Sequence, residues 1–175
     1  LYAMREGAYL GAILVSDVIR EDASSALSAL RQMGVSPLCL LSGDRETVAR
    51  QVAETLSLDA VYAECLPADK ARVLEKKKEE TGKPFLFVGD GINDAPVLAG
   101  ADVGAAMGSG ADAAIEAADV VFMTSDAEAI PQSLSIARET NKIAWQNVIF
   151  ALAIKLIVMV LGLLGHASMW LAVFA

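Results

Sequence analysis

Asp90, Asn93 and Asp94 lie within the string Gly89-Asp90-Gly91-Ile92-Asn93-Asp94-Ala95-Pro96. Oxygen donors of this kind suit a hard cation such as Mg²⁺. Two further segments carry matching chemistry: Lys70 supplies a positive charge, and Ser42-Gly43-Asp44 supplies a hydroxyl with backbone N–H groups. A metal ion, a lysine and a hydroxyl together are the equipment of phosphoryl transfer, where catalysis is mostly positioning and charge neutralisation. Gly, Asn and Asp also build ordinary turns. For Ser42-Gly43-Asp44 alone, a plain turn and a phosphate cradle at a helix N-terminus are equally good readings. The eight-residue string, set after a strand and before a helix, is far more specific.

These residues need a scaffold, and the chain pattern supplies one. The apolar run Pro84 to Val88 predicts a buried parallel strand, which puts the acids at a strand's carboxyl end. Open α/β sheets bind their ligands at that edge. Gly89 and Gly91 allow a tight turn, Asn93 suits a helix N-cap, and Pro96 is tolerated in a first helical turn. Pro37 to Leu41 predicts a strand running into Ser42, followed by a helix from about Arg45 to Leu56 and a short strand at Val61 to Ala63. A helix then starts at Pro67. Lys70 falls in its first turn, where the macrodipole disfavours a cation unless an anion is held nearby. The charge run Lys76 to Glu80 reads as a solvated face of that helix.

Upstream, Tyr9 to Ser16 predicts a strand, and Ala26, Leu27, Leu30 and Met33 mark an amphipathic helix over Asp22 to Met33. Downstream, short β and α signals fall at Val103 to Ala106, Ala111 to Ala117 and Val120 to Met123. The alternation predicts an α/β fold: a Rossmann-like parallel sheet with helices on both faces.

The chain has 175 residues and a formal net charge of −8, which argues against a nucleic-acid partner. Its mean hydropathy is +0.47, with the apolar excess near the C-terminus. Ile143 to Leu164 is apolar except for Gln146, Asn147 and Lys155, and a helix of that length covers roughly 33 Å, enough to cross a bilayer. Arg138 and Lys142 precede this span and no Lys or Arg follows it, so the positive-inside rule puts the α/β part in the cytoplasm. Lys155 sits near the middle of the span, where a charge is costly and usually functional. The expected division is 1–126 for the α/β domain, 127–142 for a connecting helix, 143–164 for the transmembrane helix and 165–175 for an outer turn with the start of a returning helix. Cys39 and Cys65 lack metal-ligand spacing and read as small core residues of a reducing compartment. The lone histidine, His166, is given no role.

Ser42-Gly43-Asp44, Pro67-Ala68-Asp69-Lys70 and the Gly89 to Pro96 string resemble, in order, the second half of the phosphorylation domain of P-type ATPases, members of the haloacid dehalogenase-like superfamily. The resemblance implies an ATP-driven exporter working through an aspartyl-phosphate. In it Asp90 binds Mg²⁺, Asn93 and Asp94 organise metal and phosphate, Lys70 contacts the phosphoryl group, and Ser42 with Gly43 and Asp44 holds its oxygens. A lysine in the penultimate membrane helix resembles the zinc, cadmium and lead subgroup, where it serves as a built-in positive charge beside the transported ion; Lys155 takes that place. The family's Asp-Lys-Thr-Gly-Thr segment, whose aspartate accepts the phosphate, does not occur in this chain. The expectation is therefore a fragment, inactive alone, whose partners are the missing parts of the same ATPase, the lipid bilayer, ATP held by other domains, and the metal ion. Two rivals are a stand-alone phosphatase of the same superfamily, for which Asp17 would have to be the nucleophile, and a non-catalytic regulatory fragment.

Overall fold

A computed structural model of the chain describes residues 2–5, 8–12, 18–108 and 110–165. The residues form two compact units, one reaching to Ala129 and one starting at Ile130.

The first unit begins with β1 (Tyr2–Arg5) and β2 (Ala8–Ala12), paired antiparallel. The described part of the apolar run from Tyr9, up to Ala12, is thus a strand, as expected, and it pairs antiparallel with β1. The rest of the predicted strand, with Asp17, lies outside the described residues. There follow α1 (Ala23–Gln32), β3 (Cys39–Leu41), α2 (Glu46–Thr55), β4 (Ala60–Tyr62) and α3 (Pro67–Thr81). Next come β5 (Leu86–Gly89), a 3₁₀ turn at Ile92–Asp94, α4 (Ala95–Gly100), β6 (Val103–Met107), α5 (Asp112–Ala117) and β7 (Val120–Phe122). β3 pairs with β4, and β5 with β6 and β7 in that order, every pair parallel.

Small residues build the tightest contacts. Ala105 and Ala106 of the central strand β6 are fully buried, as are Val97 and Leu98 of α4 and Ala114 of α5. A Cβ at Gly104 would collide with the carbonyl of Leu98, so only glycine lets α4 lie this close to β6. In α1 and α2 the buried pairs Ala26 and Leu30, and Ala49 and Ala53, recur every four residues and so line one helical face. The Lys- and Glu-rich end of α3 is only partly a solvated face: Lys76, Glu79 and Glu80 are exposed, whereas Lys77, paired with Glu80 at 2.6 Å, and Lys78 are half-buried, and Gly82 at φ 62° ends the helix in the left-handed conformation.

Polar staples hold segments that the strands do not. Asp102 accepts the Phe85 N–H at 2.8 Å and pairs with Lys78 at 2.8 Å, fixing the start of β5; the Lys78 hydrogen bond, then the Phe85 N–H, holds its carboxyl below the usual range. Asp119 accepts the Gly104 N–H at 2.8 Å. Asp22 sits at the N-cap of α1 without capping it. Its carboxylate instead takes Arg20 through both Nε and Nη2 at 2.9 Å, and the Ala127 N–H at 2.7 Å. Ser25 donates to Glu128 at 2.8 Å beside it. Arg20 foremost, and then the Ala127 N–H, hold the Asp22 carboxyl well below the ordinary carboxylate range.

The second unit is dominated by α6 (Ala129–Leu163), a 35-residue helix. It runs without a break through the expected boundary between connecting and membrane segments at 142. Its apolar stretch has a mean hydropathy of 2.1 with none of it buried, long and apolar enough to cross a membrane. Lys155 lies within it and is exposed. His166 and the expected outer turn beyond Gly165 lie outside the described residues.

Candidate functional site

The parallel register Gly89↔Ala106 brings the residues after β5 and after β6 out at one sheet edge. Asp90 is the first residue beyond β5, and it is exposed. Its carboxylate makes no hydrogen bond or ion pair among the described residues. The chain then turns through Gly91 and the 3₁₀ turn into α4. Asn93 lies inside that turn and is exposed. It is not the N-cap its type suggests: Asp94 holds that place for α4, with Pro96 in the first turn. The 3₁₀ turn shifts the start of the helix by one residue, and Asn93 is left facing outward without a side-chain bond among the described residues.

Asp94 is the hinge of the arrangement. Its Oδ1 accepts from Lys70 Nζ at 2.7 Å, and both side chains are only 13% exposed. Its Oδ2 has just a long 3.4 Å approach from the Gly91 N–H. A Cβ at Gly89 would lie 2.9 Å from the Asp94 Cβ, so this glycine lets the Asp94 side chain fold back over the end of β5. Lys70 reaches across from the first turn of α3, which Pro67 begins and Asp69 supports by accepting the Leu66 N–H at 3.1 Å. The carboxylate of Asp94 offsets the repulsion between the lysine and the helix dipole.

Ser42 follows β3 and is tied to the segment before α3. Its N–H donates to the Tyr62 carbonyl at 2.9 Å, and its carbonyl accepts from Cys65 at 3.0 Å. Glu64 donates to the Asp44 carbonyl at 2.9 Å. The Ser42 hydroxyl donates to Asp44 Oδ2 at 2.6 Å and accepts the Asp44 N–H at 3.1 Å, a local turn. The structure thus joins Lys70 to Asp94 and Ser42 to Asp44, while no hydrogen bond links the two pairs among the described residues. Burial, and then the nearby Asp69 charge, push the Cys65 thiol up; this is a poor nucleophile.

The donors at the edge of β5 are all oxygens, which fits Mg²⁺ and not a soft metal. Among the described residues no group of three His, Cys, Asp or Glu could hold a metal. Mg²⁺ does not require one, because it commonly binds one or two carboxylates and completes its shell with water and phosphate oxygens. A shallow cavity of about 260 Å³, lined by Glu46, Arg50, Val61, Ala63 and Glu64, contains none of the residues singled out from the sequence. Sequence reasoning missed one supporting element, the glycine-rich turn after β6: the Ala111 N–H donates to the Asp90 carbonyl at 2.8 Å. The signal was present, since two glycines after a parallel neighbour of β5 emerge at the same edge.

A family model for haloacid dehalogenase-like hydrolases matches residues 3–102. A zinc-transporting ATPase of Synechocystis is 49% identical over 172 residues, covering 97% of this chain and 24% of its own length. A cadmium, zinc and cobalt-transporting ATPase of Bacillus subtilis is 46% identical over 95% of this chain, again 24% of its own length. The crystal structure of a zinc-transporting PIB-type ATPase in the E2.Pi state superposes with a TM-score of 0.88 at 38% identity, covering 98% of this chain and 28% of that one. The chain spans about a quarter of the length of the relatives it matches.

Proposed function

The chain belongs to the haloacid dehalogenase-like hydrolases, and from that premise we propose that it is the metal- and phosphate-handling part of an ATP-driven exporter of zinc or cadmium, together with one membrane helix on the ion's path. The observation that carries this reading is the Lys70–Asp94 pair at 2.7 Å, at the sheet edge where Asp90 stands exposed. Asp90 and Asp94 would hold Mg²⁺, which supplies charge neutralisation on the phosphoryl group when bound. Lys70 neutralises and orients the same group. The Ser42 hydroxyl turns from Asp44 towards a phosphate oxygen, backed by the N–H groups of Gly43 and Asp44. Asn93, exposed beside Asp94, bonds and orients the phosphorylated side chain.

The phosphate acceptor, an aspartate, and the ATP site come from other parts of the same protein. The relatives support this, since the chain spans about a quarter of their length. The relatives' names support the cargo, zinc and cadmium, with lead as a further soft candidate. The apolar helix α6 supports a multi-pass membrane protein with the α/β unit in the cytoplasm. Lys155 serves as a fixed charge near the transported ion, not as a ligand. The stand-alone phosphatase reading depends on Asp17, outside the described residues, whereas transporters match the chain almost from end to end.

The test is zinc-stimulated phosphate release by the full-length protein in lipid vesicles. Asp94→Ala is expected to lower it by at least about 100-fold, the scale for removing one preorganised electrostatic group. Turnover within a few-fold of the parent would overturn the reading.

A further inference from the structure

The turn after β6 is wedged between two strand ends. A Cβ at Gly108 would lie 2.5 Å from the Phe122 carbonyl oxygen and 2.8 Å from Met123, at the end of β7. On the other side, a Cβ at Gly110 would lie 2.8 Å from the Asp90 carbonyl oxygen, 3.1 Å from the Asp90 Cα and 2.9 Å from the Met107 carbonyl oxygen. All these neighbours are backbone, which cannot swing aside as a side chain would. Between them the Ala111 N–H holds the Asp90 carbonyl at 2.8 Å. The Asp90 side chain itself is unheld among the described residues, so its aim depends on its own backbone.

We propose that Gly110 is a positioning residue for Asp90: its missing side chain and the adjacent Ala111 hydrogen bond fix the backbone that points the Asp90 carboxylate at Mg²⁺. The proposal rests on the reading of Asp90 as a Mg²⁺ ligand. Any Cβ at position 110 must displace the Asp90 backbone or the end of β6, because its nearest neighbours are all backbone atoms of those two segments. Gly100 is a built-in contrast, since a Cβ there meets nothing within 4 Å.

The experiment titrates Mn²⁺, as a spectroscopic substitute for Mg²⁺, into the full-length protein with inorganic phosphate present and reads binding by electron paramagnetic resonance. Gly110→Ala is expected to weaken Mn²⁺ binding on the order of tenfold, as for other residues that orient a metal ligand. Gly100→Ala should bind like the parent. A second variant acts at the hydrogen bond itself: Ala111 has φ −65° and ψ 145°, the conformation of proline, so Ala111→Pro suits the local backbone while replacing the N–H that faces the Asp90 carbonyl with a ring carbon, and should weaken binding in the same direction. Parent-like affinity in both Gly110→Ala and Ala111→Pro, with Asp90→Asn clearly weakened, overturns the positioning role alone. Parent-like affinity in Asp90→Asn overturns the metal assignment and the positioning role with it.

Discussion

Two carboxylates tie distant segments of the first unit together, and they are occupied differently. Asp22 has both oxygens answered from within the chain: Arg20 takes both, and the Ala127 N–H adds a third bond from 105 residues away. Asp94 has one oxygen answered, by Lys70, and the other met only by a 3.4 Å approach, with the unengaged Asp90 carboxylate four residues earlier in the chain. A carboxylate saturated by internal donors is a staple. One left half-satisfied next to a lysine and a second acid still has capacity for a ligand. The first should matter to the fold and the second to chemistry.

The largest expected effect tests the chemical side. Lys70→Ala in the full-length protein should lower zinc-stimulated phosphate release by about 100-fold or more, because it removes the cation that faces the phosphoryl group. Lys70→Arg should recover only part of this, since a planar fork does not replace a compact ammonium at a 2.7 Å contact. If Lys70→Ala mainly lowers the melting temperature and leaves turnover intact, the pair is a staple like Asp22 and the contrast fails.

How far this contrast was legible in the sequence follows from the range of each interaction. The β5 strand, Asp90 and Asp94 could be read because a parallel strand is a continuous apolar run and because acids directly after it must share its end. The expected burial of β5 does not hold, since Leu86 is exposed and the rest of the strand only half-buried. Lys70 could be read because a cation in a first helical turn needs a reason. The partner of Asp22 could not: nothing local marks the Ala127 N–H, and an Asp before a helix reads as a cap, which Asp22 is not. The strand from Tyr9 is legible as a strand, but its antiparallel partner β1 is not, because an apolar run does not reveal which strand it pairs with. Asn93 failed as a cap because a single 3₁₀ turn shifts the register. The closeness of Gly110 to Asp90 is a property of two neighbouring parallel strand ends and is silent in either segment alone.

The next effect tests the structural side. Asp22→Asn should lower the melting temperature and speed proteolysis near residues 126–128, while zinc-stimulated phosphate release per folded molecule stays at the parent level. The pH dependence has a definite sign. Because the folded carboxyl is held below its ordinary range, its contribution is fully present above the unfolded value of about 3.9 and is lost as pH falls through the folded value. The melting-temperature difference between parent and Asp22→Asn should therefore be constant from about pH 5 to 8 and shrink only below about pH 4. A difference that changes near neutral pH would mean that another group closes the staple.

The smallest effect calibrates both. Glu46 and Arg50 form an i,i+4 pair at 2.5 Å, as short as any ion pair described above, yet their side chains are 60% and 66% exposed. Water already solvates both charges, and holding two long side chains in one geometry offsets most of the Coulomb gain, so such a pair contributes about 0.3–0.5 kcal/mol. Arg50→Ala should shift stability by no more than that, as read by urea denaturation, and the shift should vanish in high salt. Distance alone would rank this pair above Lys70–Asp94; burial and the second, unanswered oxygen reverse the order. A larger, salt-insensitive loss in Arg50→Ala would show that distance is the better guide on this surface, and would weaken the case for separating Asp94 from Asp22 by how their oxygens are filled.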